Sequence, residues 1–154
     1  MTHKLYVYRV QHDENFAPHF EKDYCFLSGC KNSYKRCGFL VRNIEELAES
    51  GSWIIGIGGV KTTKPNSVLY IMEVRSNLSY KEFKDIFPEQ SIYLGRRCKD
   101  RVLVSGVFRY LGDTDESLDL PENLKHLYVS GVGKKCSEIS DKDIENLRLL
   151  CKKS

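Results

Sequence analysis

The sequence predicts an α+β fold: a curved, mostly antiparallel sheet or a small barrel, with peripheral helices. Three observations carry this expectation. Several short segments alternate residue type and are rich in Val, Ile and Tyr, the pattern of strands with one face in a core. Asn- and Ser-led capping boxes and one amphipathic stretch mark helices. Strands and helices mix without a βαβ rhythm, which argues against a doubly wound parallel sheet.

Residues 4–10 (Lys-Leu-Tyr-Val-Tyr-Arg-Val) read as a strand, followed by a charged loop over 12–23 that carries Asn15 and Pro18. Residues 24–27 are a short apolar stretch, and Ser28-Gly29-Cys30-Lys31 turns the chain. Asn43, with Glu46 three residues on, caps a helix over 44–49 that Ser50-Gly51 stops. Residues 53–57 form a buried strand running into Gly56, Gly58 and Gly59; a loop over 61–67 returns the chain into a strand over 68–75, an antiparallel pair. Ser79 and Glu82 make a second capping box for a helix over 80–87, where Phe83 and Phe87 share a face and Pro88 ends it. Residues 101–110 read as one strand, and Pro121 begins a short turn or helix. Ser140 caps a final helix on which Ile144, Leu147, Leu150 and Cys151 form one apolar face, with Asp141 and Asp143 suiting its N-terminus.

The length, 154 residues, fits one domain over 1–154, and the 41% hydrophobic and 29% charged content is that of a globular chain. A chain of this size buries roughly 68–70% of its unfolded surface, so a core forms without covalent staples. The longest apolar runs, 53–57 and 102–104, are too short to cross a bilayer, and the chain opens on a polar-flanked strand without a signal-peptide stretch. A cytoplasmic protein with no membrane partner is the expectation. Net charge is +3, too mild to announce a nucleic-acid partner. Two basic runs stand out, Lys31, Lys35, Arg36 and Arg42, then Arg96, Arg97, Lys99 and Arg101, broken by Asp100; either run alone reads first as a solvated face. The six cysteines (Cys25, Cys30, Cys37, Cys98, Cys136, Cys151) include no C-x-x-C pair, and free thiols are expected, with no metal and no cofactor.

Gly56-Ile57-Gly58-Gly59 follows a strand, as a dinucleotide fingerprint does, but Lys-Thr-Thr-Lys-Pro-Asn comes next and no helix opens to meet a pyrophosphate. These glycines instead let another backbone or a ligand approach the strand end. Ser130-Gly131-Val132-Gly133-Lys134-Lys135 lacks Walker spacing; it is either a surface turn or a cradle whose N–H groups and lysines hold a phosphate. The four histidines (His3, His12, His19, His126) sit in no local catalytic signature. Tyr24, Phe26, Trp53, Phe108 and Tyr110 lie beside polar or basic neighbours. Such rings either fill the core or stack on bases, at about 1–3 kcal/mol each.

Read in order, Tyr-Val-Tyr-Arg at 6–9, Asn-Phe-Ala-Pro at 15–18 and Tyr-Cys-Phe-Leu-Ser-Gly-Cys-Lys at 24–31 begin a familiar series. Gly-Ser-Trp-Ile-Ile-Gly-Ile-Gly-Gly at 51–59, Leu-Tyr-Ile-Met-Glu-Val at 69–74, Val-Leu-Val-Ser at 102–105, Phe-Arg-Tyr-Leu-Gly at 108–112 and Gly-Val-Gly-Lys at 131–134 continue it. The series resembles the second family of nucleotide modification associated domains, of bacteria and phages, over about residues 4–150. Members tend to carry an Ala-Thr-Cys-Lys-Pro type segment where this chain has Ser28-Gly29-Cys30-Lys31-Asn32, and a Gly-x-Gly-His motif where it has Lys134, which weighs against a histidine-dependent activity. A weaker similarity is to EVE, YTH and ASCH domains of PUA-like fold, which view a base in an aromatic-lined pocket.

These resemblances imply a binding module for a modified nucleotide or modified nucleic acid. Its pocket would be walled by Trp53 and Tyr24 or Tyr110, with polar contacts from Arg9, Ser28, Cys30 and Lys31, and Lys134 on a phosphate. The alternative they leave open is an enzyme acting on a nucleotide or base through Cys30 and its polar neighbours.

Overall fold

The computed structural model describes residues 3–10, 19–28, 34–36, 39–41, 44–59, 62, 65–94, 101–112, 118, 120, 122, 125 and 134–152. Eleven strands and four helices occur among them: β1 His3–Val10, β2 His19–Phe20, β3 Cys25–Leu27, β4 Tyr34–Arg36, β5 Phe39–Val41, α1 Ile44–Leu47, β6 Trp53–Gly58, β7 Val68–Glu73, β8 Ser76–Ser79, α2 Tyr80–Ile86, α3 Pro88–Leu94, β9 Arg101–Ser105, β10 Val107–Tyr110, β11 Lys134–Ile139 and α4 Asp141–Lys152. The first sheet runs β10-β7-β6-β1-β11, the second β2-β3-β9-β8, and β4 with β5 forms a separate ribbon. The fold is α+β and mostly antiparallel, as the strand and cap patterns predict. It is two open sheets rather than a small barrel, since each ends on two different edge strands.

Alternation along the strands sorts the core into layers. On one face of the first sheet Leu5, Val7, Trp53, Ile55 and Ile71 pack against Ile144 and Leu147 of α4. On the other, Tyr6, Tyr8, Ile54, Tyr70 and Met72 meet Cys25, Leu27 and Leu103 of the second sheet and Ile44 of α1. The outer face of the second sheet, Phe26, Val102 and Val104, is closed by Phe83 of α2. A bulge beside Gly56 and Ile57 shifts the register with β7, and beyond it Val68 belongs to the α4 side and Leu69 to the other.

Both capped helices form as read. The Ser79 hydroxyl accepts from the Glu82 N–H at 3.2 Å, and the Glu82 carboxylate accepts from the Ser79 N–H at 3.0 Å. Those bonds hold the Glu82 carboxyl below the usual carboxylate range. Ser140 and Asp143 make the same reciprocal cap on α4, at 3.2 and 3.1 Å. Glu73 accepts from Arg148 at 2.8 Å, and Arg109 donates to the Leu150 carbonyl at 3.0 Å, so α4 is clamped as well as packed. Gly51, at φ 93°, takes the left-handed conformation that turns the chain from α1 towards β6. Asn43 and Pro121 lie outside the described residues.

Several readings need correction. The run 101–110 is two strands in different sheets, broken at Gly106, where the Ser105 hydroxyl donates to the Val107 carbonyl and accepts from its N–H. Pro88 ends α2 but also opens α3, because the first helical position needs no N–H. The strand β1 lies parallel to β6, a pairing that the supposed absence of a βαβ rhythm did not anticipate. The strands β2, β4, β5, β8 and β11 are short or polar and carry no strong period-two signal. Among the described residues no helix is long and apolar enough to cross a membrane.

Candidate functional site

The register of the first sheet sets one row of residues side by side: Lys134, Tyr8, Gly56, Tyr70 and Tyr110, on β11, β1, β6, β7 and β10. Gly56 makes the row possible. A Cβ there would stand 2.4 Å from Cε1 of Tyr70, so the Tyr70 ring lies across the strand where a side chain would otherwise project. The ring thereby reaches Tyr8, and the two hydroxyls hydrogen-bond to each other in the buried layer between the sheets. Their rings meet edge to face, with centroids 6.2 Å apart.

Above this pair the cluster opens. Phe20 of β2 stacks on Tyr110 at 4.3 Å and meets Tyr70 edge-on at 6.0 Å and Phe108 at 5.7 Å. Phe20, Phe108 and Tyr110 are half-buried, whereas Tyr8 and Tyr70 are buried. The result is a buried hydroxyl pair beneath a partly exposed aromatic rim. Arg9, next to Tyr8, donates to the Gly58 carbonyl at 3.2 Å, and the Gly59 N–H donates to the Val10 carbonyl at 2.8 Å. A Cβ at Gly59 would stand 2.6 Å from that carbonyl, so this glycine admits a neighbouring backbone, as its place at the strand end implies.

Of the residues the sequence nominated, the fold sets Tyr110 and Lys134 in this row, and brings Arg9 to the same end of the sheet but on its α4 face. Lys134, read as part of a phosphate loop, opens β11 in register with Tyr8, while 130–133 lie outside the described residues. Trp53 is wholly buried on the α4 side, so it cannot wall a pocket with the others, and its Nε1 meets no hydrogen-bond partner among the described residues. Tyr24 belongs to the third layer, stacked on Phe26 at 6.2 Å and edge-on to Phe87 at 5.4 Å. Ser28 donates to the Arg101 carbonyl at 2.8 Å. Cys30 and Lys31 lie outside the described residues. In the basic runs, Arg101 is tied to Asn77 by two bonds of 2.8 Å within the second sheet. The sequence reading did not nominate Tyr8, Phe20 or Tyr70. The signal for Tyr8 and Tyr70 lay in Gly56, which marks a close approach without saying that a tyrosine makes it.

Two shallow depressions, of about 380 and 460 Å³, lie away from this row and share Gly51, Glu73 and Arg148. The charges that line both, Glu73 and Arg148, are paired with each other at 2.8 Å. Among the described residues no three His, Cys, Asp or Glu side chains group to hold a metal.

Burial pushes the Tyr6 phenol and the Cys151 thiol up to about 12, and raises the buried Cys25 thiol as well, so neither cysteine is an activated nucleophile at neutral pH. The folded protein therefore keeps protons that the unfolded chain gives up above the ordinary thiol and phenol values of 9.0 and 10.0. Stability is fully present below pH 9 and falls as pH rises through these values towards 12. The Cys25 and Cys151 thiols each contribute a slope of up to about 1.4 kcal/mol per pH unit in that window, and the Tyr6 phenol a smaller one. Urea unfolding at intervals from pH 8 upwards should show the decline, with Tyr6→Phe making it less steep above pH 10. A flat profile would mean that these groups are open to water.

The family model described as nucleotide modification associated domain 2 matches residues 2–94, a span that contains β1 to α3 and so Tyr8, Phe20, Gly56 and Tyr70. Comparison with the curated proteins and with the solved structures finds no match.

Proposed function

The chain belongs to the nucleotide modification associated domain 2 family, and from that premise we propose that it binds a modified nucleotide, free or within nucleic acid, at the tyrosine row. The observation that carries this reading is the half-buried Phe20–Tyr110 stack standing over the Tyr8–Tyr70 hydroxyl pair. A base laid on the exposed side of this rim gains stacking energy irrespective of sequence; Lys134, four strands away in the same row, suits a phosphate further along a bound strand, whereas Arg9 alternates to the α4 face. Trp53 is left out of the pocket because it is core, and Tyr24 and Ser28 serve the second sheet.

Titration with modified and unmodified mononucleotides and oligonucleotides tests the reading. Oligonucleotide binding is expected to weaken steeply with added salt, through the phosphate contacts. Tyr110→Ala should weaken binding by about 1–3 kcal/mol, roughly five- to 150-fold, with the fold intact by circular dichroism. No binding at low salt, or equal binding by Tyr110→Ala, overturns the site. Turnover detected as a mass change in an incubated nucleotide, lost in Cys30→Ala with binding retained, would move the protein to the enzymatic alternative.

A further inference from the structure

The outer edge of the first sheet is the six-residue strand β11, and among the described residues no strand lies on its far side. β11 pairs with β1 along its whole length, from Ile139 opposite His3 to Lys134 opposite Tyr8. Among the described residues no strand and no backbone hydrogen bond meets its other side. Such an edge presents a row of unpaired N–H and C=O groups, which proteins either guard with charge or use for pairing.

The charges on this edge favour pairing with a second copy. Two copies related by a twofold axis normal to the sheet pair antiparallel, and each residue then faces one of the same parity. With Cys136 on the axis, Lys134 stands opposite Glu138 of the other copy, twice by symmetry, and Lys135 opposite Ser137. One step towards the N-terminus sets Lys135 against Lys135, and one step towards the C-terminus puts Ser137 on the axis and pairs no opposite charges. Cross-strand opposite charges stabilise and like charges destabilise, so the composition of β11 selects one register. Cys136 and Glu138 are exposed, as this pairing requires.

We propose that β11 is a self-pairing edge that joins two copies of the chain through one continuous ten-stranded sheet, with Cys136 on the twofold axis. The pairing uses a single strand from each copy, which sits at the small end of interface sizes, so the dimer is reversible, with a dissociation constant roughly in the micromolar range. The proposal does not rest on the nucleotide reading.

Sedimentation of the full chain across a range of concentrations should show a monomer–dimer equilibrium. Glu138→Lys places lysines opposite each other and should weaken the dimer by about tenfold or more. Lys134→Glu should weaken it in the same way, and the double variant Lys134→Glu/Glu138→Lys should restore it to within about threefold of the parent. The double variant also controls for Lys4, the in-chain partner of Glu138, because that contact stays altered while pairing returns. A short bismaleimide should link the copies, and Cys136→Ser should abolish the link. A chain that stays monomeric at high concentration, or a double variant no better than the single ones, overturns the proposal and leaves Lys134 and Lys135 as guards of the edge. Nucleotide titration of Glu138→Lys separates the two readings, since a broken dimer that still binds leaves the tyrosine site standing.

Discussion

Gly56→Ala is expected to destabilise the protein by roughly 3 kcal/mol, out of proportion to the single methyl it adds. The new Cβ would lie 2.4 Å from Cε1, 2.8 Å from Cδ1 and 3.1 Å from Cζ of Tyr70, so the whole flank of the ring must move. That ring is fully buried and has Phe20 edge-on against it. Overpacking of this kind costs about 1–3 kcal/mol, and drawing the Tyr70 hydroxyl from Tyr8 adds the cost of a disturbed buried polar pair, about 1–3 kcal/mol. Gly106→Ala is the control, because only Arg75 Nη1 comes within reach of its Cβ, at 4.0 Å. Urea unfolding should therefore separate two glycine-to-alanine changes by several kcal/mol, with Gly106→Ala near neutral. Near-ultraviolet dichroism should lose tyrosine intensity in Gly56→Ala alone. Equal stability of the two variants would show that Tyr70 does not lie across β6.

The second large effect is expected at Phe26, where Phe26→Ala should cost about 3–5 kcal/mol. Its ring is fully buried and touches four others: His19 at 6.3 Å, Tyr24 at 6.2 Å, Phe83 at 5.2 Å and Phe87 at 5.0 Å. Removing it empties the joint between the second sheet and α2. Neighbouring rings cannot collapse inwards without pulling Phe83 and Phe87 off the helix that Ser79 caps. Hydrogen exchange should then reach α2 and β9 well before β1 and β6. Phe26→Leu keeps most of the volume and should cost under half as much. Because Phe26 serves a different layer from the tyrosine row, Phe26→Leu should bind nucleotide like the parent, where Tyr110→Ala does not. Loss of binding in Phe26→Leu at full foldedness would place the site in the third layer with Tyr24.

These two positions show how much of the site could be read from the chain. Gly56 stands out in sequence because a glycine inside a strand needs a reason, and a close approach is the usual one. The approaching group is set by the register between β6 and β7, which a bulge shifts one residue further on. Phe83 and Phe87 declare themselves by helical spacing and a capping box, yet their partner Phe26 sits 57 residues before Phe83 on another strand. Trp53 misled because an aromatic after a glycine-flanked turn suits a pocket wall equally well. Parity along β6 turns it to the α4 face, into the core.

Local chemistry alone decided the helices at 80–86 and 141–152, the β6–β7 hairpin and the α+β class, because caps, i,i+4 spacing and alternation act between residues close in the chain. Family membership was likewise legible in the linear order of motifs. Tertiary structure alone decided that 101–110 divides between two sheets, that β1 runs parallel to β6, and that Tyr8, Gly56, Tyr70 and Tyr110 share one row. Those outcomes depend on which distant strands pair and in what register. Shifting a register by one residue exchanges the two faces of a strand, and only the packing of both faces at once selects among the choices.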